Sequence, residues 1–205
     1  MIAVAFGLFI AASLYDAIAW PDGAPVHGDQ LWQLIVFEPI VGGALIAFLR
    51  VRGWTAGRIG LHPSLRETVA GLSLALLCYV VYYAAAWIVM RFASPALFHS
   101  ARVIGAVGLV PALLLSTINP VFEETFVNGY IVRLLKEHGA AGTGIAVSVV
   151  LRCLYHLYQG PAALTLTLPF GIIMAAWYAR RGSLWPPIVA HAVFDFVALT
   201  PYLEK

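Results

Sequence analysis

Long apolar runs recur along almost the whole chain, and each is close to the length needed to cross a lipid bilayer. A span takes about 20 mostly apolar residues. Such runs cover about residues 1–19, 31–49, 67–90, 103–135, 142–158, 161–179 and 184–200. In hydrocarbon every backbone N–H and C=O must be satisfied inside the protein, so spanning runs of this kind become helices. The expected fold is an all-α, polytopic transmembrane helix bundle with seven or eight spans. The fourth run is too long for one straight crossing, because about 33 residues at 1.5 Å each cover about 50 Å. Pro111 and Pro120 lie inside it, and each lacks a backbone donor. It reads as one kinked helix or as two shorter elements, which decides between seven spans and eight.

Composition agrees. The 205 residues are 61% hydrophobic and 11% charged, where a soluble domain is nearer 25% charged. The net charge of +2, without a run of basic residues, gives no reason to expect a nucleic-acid partner. Cys78 and Cys153 both fall in apolar runs, which argues against a disulfide framework or a cysteine metal site. The N-terminus is apolar at once, with no basic residues before the first run and no small-residue cleavage site. It reads as a retained span and not as a signal peptide. Connections are short and rich in Pro and Gly, with no internal repeat, so one membrane domain over residues 1–205 is expected.

Basic residues accumulate in cytoplasmic loops. Arg50, Arg52, Arg58 and Arg66 share one loop, Arg133 and Lys136 close the fourth run, and Arg180 and Arg181 close the sixth. The loop at 20–30 has Asp22 and Asp29 and no basic residue. Seven crossings with the N-terminus inside fit this pattern, with Arg91 and Arg102 on the outer side against it.

Against this apolar background stand Asp16, Glu38, Glu123, Glu124, Arg152, His156, His191 and Asp195. Charge in a bilayer costs several kcal/mol per group, roughly 3 by insertion scales, so such residues are functional candidates by default. Glu123 and Glu124 are adjacent and point about 100° apart on a helix. One can face a cavity while the other meets a neighbouring helix. Arg152 and His156 lie one turn apart and share a face, and an arginine at this depth needs a counter-charge, for which Glu123 or Glu124 is the obvious partner. His191 and Asp195 are four residues apart and can project together into a bundle. The orientation puts Glu123 and His191 each about 15 Å from the cytoplasmic edge and His156 about 20 Å from it. Side chains far apart in sequence thus reach a similar depth, as expected of one site. Asp16 and Glu38 are not assigned to it. Carboxylates and imidazoles together can hold a metal or activate a water that attacks a peptide bond.

Glu123-Glu124 followed by Gly129-Tyr130, then His156, then His191-x-x-x-Asp195 resemble the motifs of the CPBP intramembrane proteases, also called the Abi family. That family includes type II CAAX prenyl endopeptidases and bacterial relatives linked to bacteriocin processing and self-immunity. The resemblance covers about residues 103–200, taken as a catalytic core, with a lesser likeness around Gly53-Trp54 and Gly60-Leu61. Two positions depart from the pattern: Asn128 stands where the first motif has Arg, and Arg152 where the second has Phe. The charge reads as moved from one helix to its neighbour, with Arg152 and Asn128 as electrostatic support. The resemblance implies an intramembrane endopeptidase in which Glu123, helped by Glu124, activates water, while His156 and His191 orient it or stabilise the oxyanion. Asp195 occupies a position often held by Asn. Glu123, His156 and His191 are also the candidate ligands for a zinc, and a metal-free mechanism is the alternative. The implied partners are a peptide or lipidated protein substrate and the lipid bilayer, in a bacterial cell membrane. Tyr79, Tyr82, Tyr83 and Trp87 are candidates for a lipid-facing groove or for ordinary packing. A non-catalytic scaffold or immunity factor of the same fold is the competing reading. A transporter is disfavoured, because repeated halves are absent.

Overall fold

A computed structural model describes residues 2–21, 23–92 and 102–204. It is overwhelmingly helical. The first helix, α1, covers Ile2–Ala19, and a three-residue strand, β1 (Pro25–His27), follows. Two long helices come next, α2 (Gly28–Val51) and α3 (Leu65–Phe92). A second strand, β2 (Arg102–Ile104), pairs parallel to β1 with Val26 opposite Val103. Among the described residues this strand pair, with an isolated bridge between Val107 and Leu203, adds to the expected all-helical class. Asp22 lies outside the described residues, as do the side chains of Asp29 and Arg102.

The long fourth run opens as β2, and its helical part is continuous. Helix α4 (Leu109–Glu124) passes into a π-helical stretch, Thr125–Val132, and then into α5 (Arg133–Glu137). Pro111 sits in the first turn of α4, where a missing N–H costs nothing. Pro120 lies inside α4, one turn before the backbone widens. The Arg133 N–H reaches back five residues to the Asn128 carbonyl. Such wide turns occur mostly as short insertions in helices, often at functional sites. Three helices complete the chain: α6 (Ala141–Tyr155), α7 (Pro161–Arg181) and α8 (Trp185–Leu199). The expected fifth span is shorter than its apolar run. It stops at Tyr155, so His156 sits in the turn beyond α6 and not inside a helix.

Three described helical stretches are long and apolar enough to cross a membrane: Gln30–Val51, Leu65–Phe92 and Ala163–Arg181. Helix α3 shows what that means for packing. Leu65, Val69, Leu72, Leu76, Val80, Trp87 and Phe92 point outward, a surface suited to lipid tails. Its inner face, with Gly71, Leu74, Ala75 and Cys78, packs on α7 and α8. A Cβ on Gly71 would stand 2.6 Å from Val189 Cβ and 2.9 Å from the Pro186 carbonyl, so only glycine allows α8 this close. Membrane helices associate through such small residues, since lipid gives no hydrophobic drive between them. The aromatics of α3 divide between packing and exposure. Tyr79 stacks on Phe194 at 4.0 Å, whereas Tyr83 and Trp87 are exposed.

The main core surrounds the wide-turn helix. Phe122, Phe126, Val127 and Val132 pack against Phe6 of α1, Leu45 and Leu49 of α2, and Tyr178 of α7. This places Glu123, Glu124 and Asn128 at the centre of the structure.

Candidate active site

Glu123 and Glu124 end α4, and the two carboxylates face different neighbours. Glu124 is fully buried, with 0% of its surface exposed, while Glu123 lines a cavity. Arg152 comes from α6, 1% exposed, and bridges them. Its Nη1 donates to Glu123 Oε2 at 3.1 Å and its Nη2 to Glu124 Oε1 at 2.7 Å. A buried ion pair survives only where geometry is good and the remaining polar groups are bonded. Both glutamates meet that condition: Tyr155 Oη donates to Glu123 Oε2 at 2.6 Å, and Asn128 Nδ2 donates to Glu124 Oε2, while the buried Arg152 Nε has no hydrogen-bond partner among the described residues. Ser148 Oγ in turn donates to Asn128 Oδ1 at 3.0 Å. The Arg152 stem needs space from α7, and Gly171 gives it, since a Cβ there would lie 3.3 Å from Arg152 Cδ.

His191 enters from α8. Its Nδ1 is 2.9 Å from Glu124 Oε1, and its Nε2 is 3.4 Å from Asp195 Oδ1 and 4.0 Å from Glu123 Oε2. Phe170 of α7 holds the imidazole edge-on at 5.2 Å and lies 5.4 Å from the Arg152 guanidinium. His156 is placed by the turn after α6. Its Nδ1 lies 2.9 Å from the Arg152 carbonyl. A carbonyl only accepts, so Nδ1 carries the proton and Nε2 is the ring's remaining acceptor.

Two cavities meet at this cluster. The first, about 330 Å³, lies between α1, α2 and α4 and includes Phe6, Asp16, Glu38, Glu123 and Tyr155 in its walls. The second, about 390 Å³, is lined by Leu31, Tyr82, Leu115, Leu166, Asp195 and Leu199, among others. Asn119, Glu123, His156 and Tyr158 border both.

The structure thus brings Glu123, Glu124, Asn128, Arg152, His191 and Asp195 into one network, with His156 beside it across a shared cavity. Besides Ser148, three further residues belong to it that the sequence reading left out. Tyr155 bonds Glu123 directly. Asn119 Nδ2 donates to Glu123 Oε1 at 3.2 Å and to Glu38 Oε1 at 2.9 Å, so Glu38 joins the site through one amide. Asn119 lies one helical turn before Glu123, and Tyr155 precedes His156; spacing alone could have flagged the first. Nothing in the sequence brings Glu38, some 80 residues away, to either.

Zinc is the metal that the sequence leaves open. Among the described residues no three His, Cys, Asp or Glu side chains form a group able to hold a metal ion. The side chains are otherwise engaged: the guanidinium sits on both glutamates, and both His191 nitrogens face carboxylates. A cation already placed at 3.1 Å from Glu123 repels a second one. The donor set in this arrangement does not fit zinc.

Helices long and apolar enough to cross a membrane, packed with a buried carboxylate–arginine–imidazole cluster, suggest an integral membrane protein with an enclosed polar site. Residues 105–197 match the family model described as type II CAAX prenyl endopeptidase Rce1-like. That stretch holds Glu123, Glu124, His156, His191 and Asp195, and the match agrees with the resemblance of their motifs to the CPBP proteases. Neither a curated protein nor a solved structure matches the chain.

Proposed function

We propose that this protein is an intramembrane endopeptidase of the type II CAAX-like class, cleaving a peptide or protein at the membrane. Glu123 carries the reading: it is a buried carboxylate at the junction of two cavities, held by side chains from α4 and α6 and close to His191 of α8. A water bound there would give a proton to Glu123 as its oxygen attacks the peptide carbonyl carbon. His156 Nε2 can accept the second hydrogen of that water and fix its orientation. The oxyanion would be met by His191, which Glu124 and Asp195 hold in place. The proton then passes from Glu123 to the departing amine as the C–N bond breaks. Arg152 and Asn128 fix the two glutamates. No step is assigned to a metal, because the donor set does not fit one. Residues 103–200 form the catalytic core of a seven-crossing chain with its N-terminus inside.

The competing reading is a non-catalytic scaffold or immunity factor. One observation favours it: both Glu123 oxygens already accept hydrogen bonds, and Arg152 offsets one of the two glutamate charges, which weakens Glu123 as a base. The test is cleavage of lipidated and unlipidated peptides by purified protein, wild type against Glu123→Gln, with and without chelator. The expected loss in the variant is about 10²–10⁴-fold, the usual worth of a general base, and chelator should have no effect. Full activity in Glu123→Gln, or no cleavage by folded wild type, would refute the protease reading. Loss on chelation would restore the zinc alternative.

A further inference from the structure

The cavity between α1, α2 and α4 has a lining of one sign. Asp16, Glu38 and Glu123 line it together with Gln30, Gln33, Asn119 and the imidazole of His156, and no arginine or lysine among the described residues does. Glu38 is 2% exposed, and its Oε1 accepts from Asn119 while its Oε2 has no hydrogen-bond partner. A buried carboxylate oxygen left unpaired is costly, and a charged donor satisfies it best. The rest of the wall is aromatic, with Phe6, Phe9, Phe122, Tyr155 and Tyr158, and aromatic faces attract cations. At about 330 Å³ the space is within the range of small-ligand pockets. It runs directly to Glu123. The second cavity, beyond Glu123, has more aliphatic side chains in its wall, and its further carboxylate, Asp195, already faces His191.

We infer that the α1–α2 cavity is a binding site for an organic cation. Resting on the protease reading, that cation is a lysine or arginine side chain of the substrate, close to the bond cut at Glu123. Glu38, ionised as the cation arrives, supplies the charge that receives it, Asp16 adds a second carboxylate, and the aromatic wall takes the aliphatic stem. A lipid headgroup offers a related ammonium, and the two sources separate by experiment.

The full-length protein, purified in detergent, is titrated with dansylcadaverine, a fluorescent primary alkylammonium, and with its neutral N-acetyl analogue. Wild type should bind the cation about tenfold or more tightly than the analogue, the scale of a close desolvated charge pair. Glu38→Gln keeps the shape and an oxygen for Asn119, and the preference should fall to near parity. Asp16→Asn, at a partly exposed position, should reduce it less, and serves if Glu38→Gln does not fold. Equal affinities in wild type, or an undiminished preference in folded Glu38→Gln, overturn the site. A parallel set of peptides differs only in Lys, norleucine or Glu beside the cleaved bond. A Lys-over-norleucine ratio in kcat/KM that Glu38→Gln abolishes supports the substrate assignment. Cleavage that needs Glu123 but ignores Lys refutes that assignment and leaves the protease reading standing. Cation binding without cleavage of any peptide refutes the protease reading alone. Displacement of the dye by phosphocholine but not by N-acetyl-lysine amide would assign the site to a lipid headgroup and overturn the peptide assignment.

Discussion

Arg152 meets Glu123 at 3.1 Å and Glu124 at 2.7 Å with almost no exposure to solvent. Removing it would leave two adjacent carboxylates buried against each other. Losing one member of a buried ion pair typically costs about 3–5 kcal/mol, and Arg152→Asn should lower the thermal midpoint of the purified protein accordingly. Asn128 sits one turn beyond Glu124 and bonds its far oxygen, so an arginine there could replace the lost charge. The double variant Arg152→Asn with Asn128→Arg should recover part of both stability and cleavage. Activity no better than in Arg152→Asn alone would sink the idea that the charge has moved between helices. Tyr155 and Asn119 complete the polar shell of Glu123, and stacking of Phe6 on Tyr155 at 5.1 Å holds the phenol in place.

At the scale of elements, the wide turn after Glu124 and the close pairing of α3 with α8 set the geometry. The π-helical stretch carries Asn128 under Glu124, and Gly129 faces Leu184 so closely that a Cβ there would lie 3.1 Å from its Cδ2. Gly71 lets α8 approach α3, and α8 carries His191 and Asp195. Gly71→Val would force Val189 and the Pro186 carbonyl away. Overpacking of this kind costs about 1–3 kcal/mol, and the shift of α8 should also draw His191 from Glu124. The expected result is a lower thermal midpoint together with reduced cleavage. An unchanged midpoint would mean that the helices have room to spare.

For the whole molecule, the apolar outer faces and the charged ends of helices suit a bilayer, and one end is tied by a surface network. Glu137 accepts from Arg58 at 2.7 Å and from Arg133 at 2.8 Å, joining the loop after α2 to α5. These bonds, first from Arg58 and then from Arg133, hold the Glu137 carboxyl down to about 2 from its usual 4.5. A carboxyl lowered on folding adds stability above its unfolded value, and that stability fades as pH falls through the folded one. The difference in midpoint between wild type and Glu137→Gln should therefore be present above about pH 4.5 and shrink toward pH 2. It should also be small and weakened by salt, as for other exposed pairs. A difference that stays constant across that range would show the network to be inert.

The amino-acid sequence by itself determined the helical class, because runs of apolar residues in lipid leave the backbone no other way to bond. It also marked Glu123, Glu124, Arg152, His156, His191 and Asp195, because ionisable groups are rare where burial is expensive. It placed the partner of Arg152 correctly, since a buried guanidinium needs a carboxylate. Other features depended on packing between distant segments. Where α6 stops, and hence that His156 stands in a turn, does not follow from an apolar run that continues past it. The strand pair formed by Pro25–His27 and Arg102–Ile104 is three residues long on each side, too short for a pattern of period two to register. The place of Glu38 was fixed only when α2 met α4 and Asn119 came between two carboxylates. Composition dictates that a polar site must be enclosed; which side chains enclose it is settled by the contacts of helices far apart in the chain.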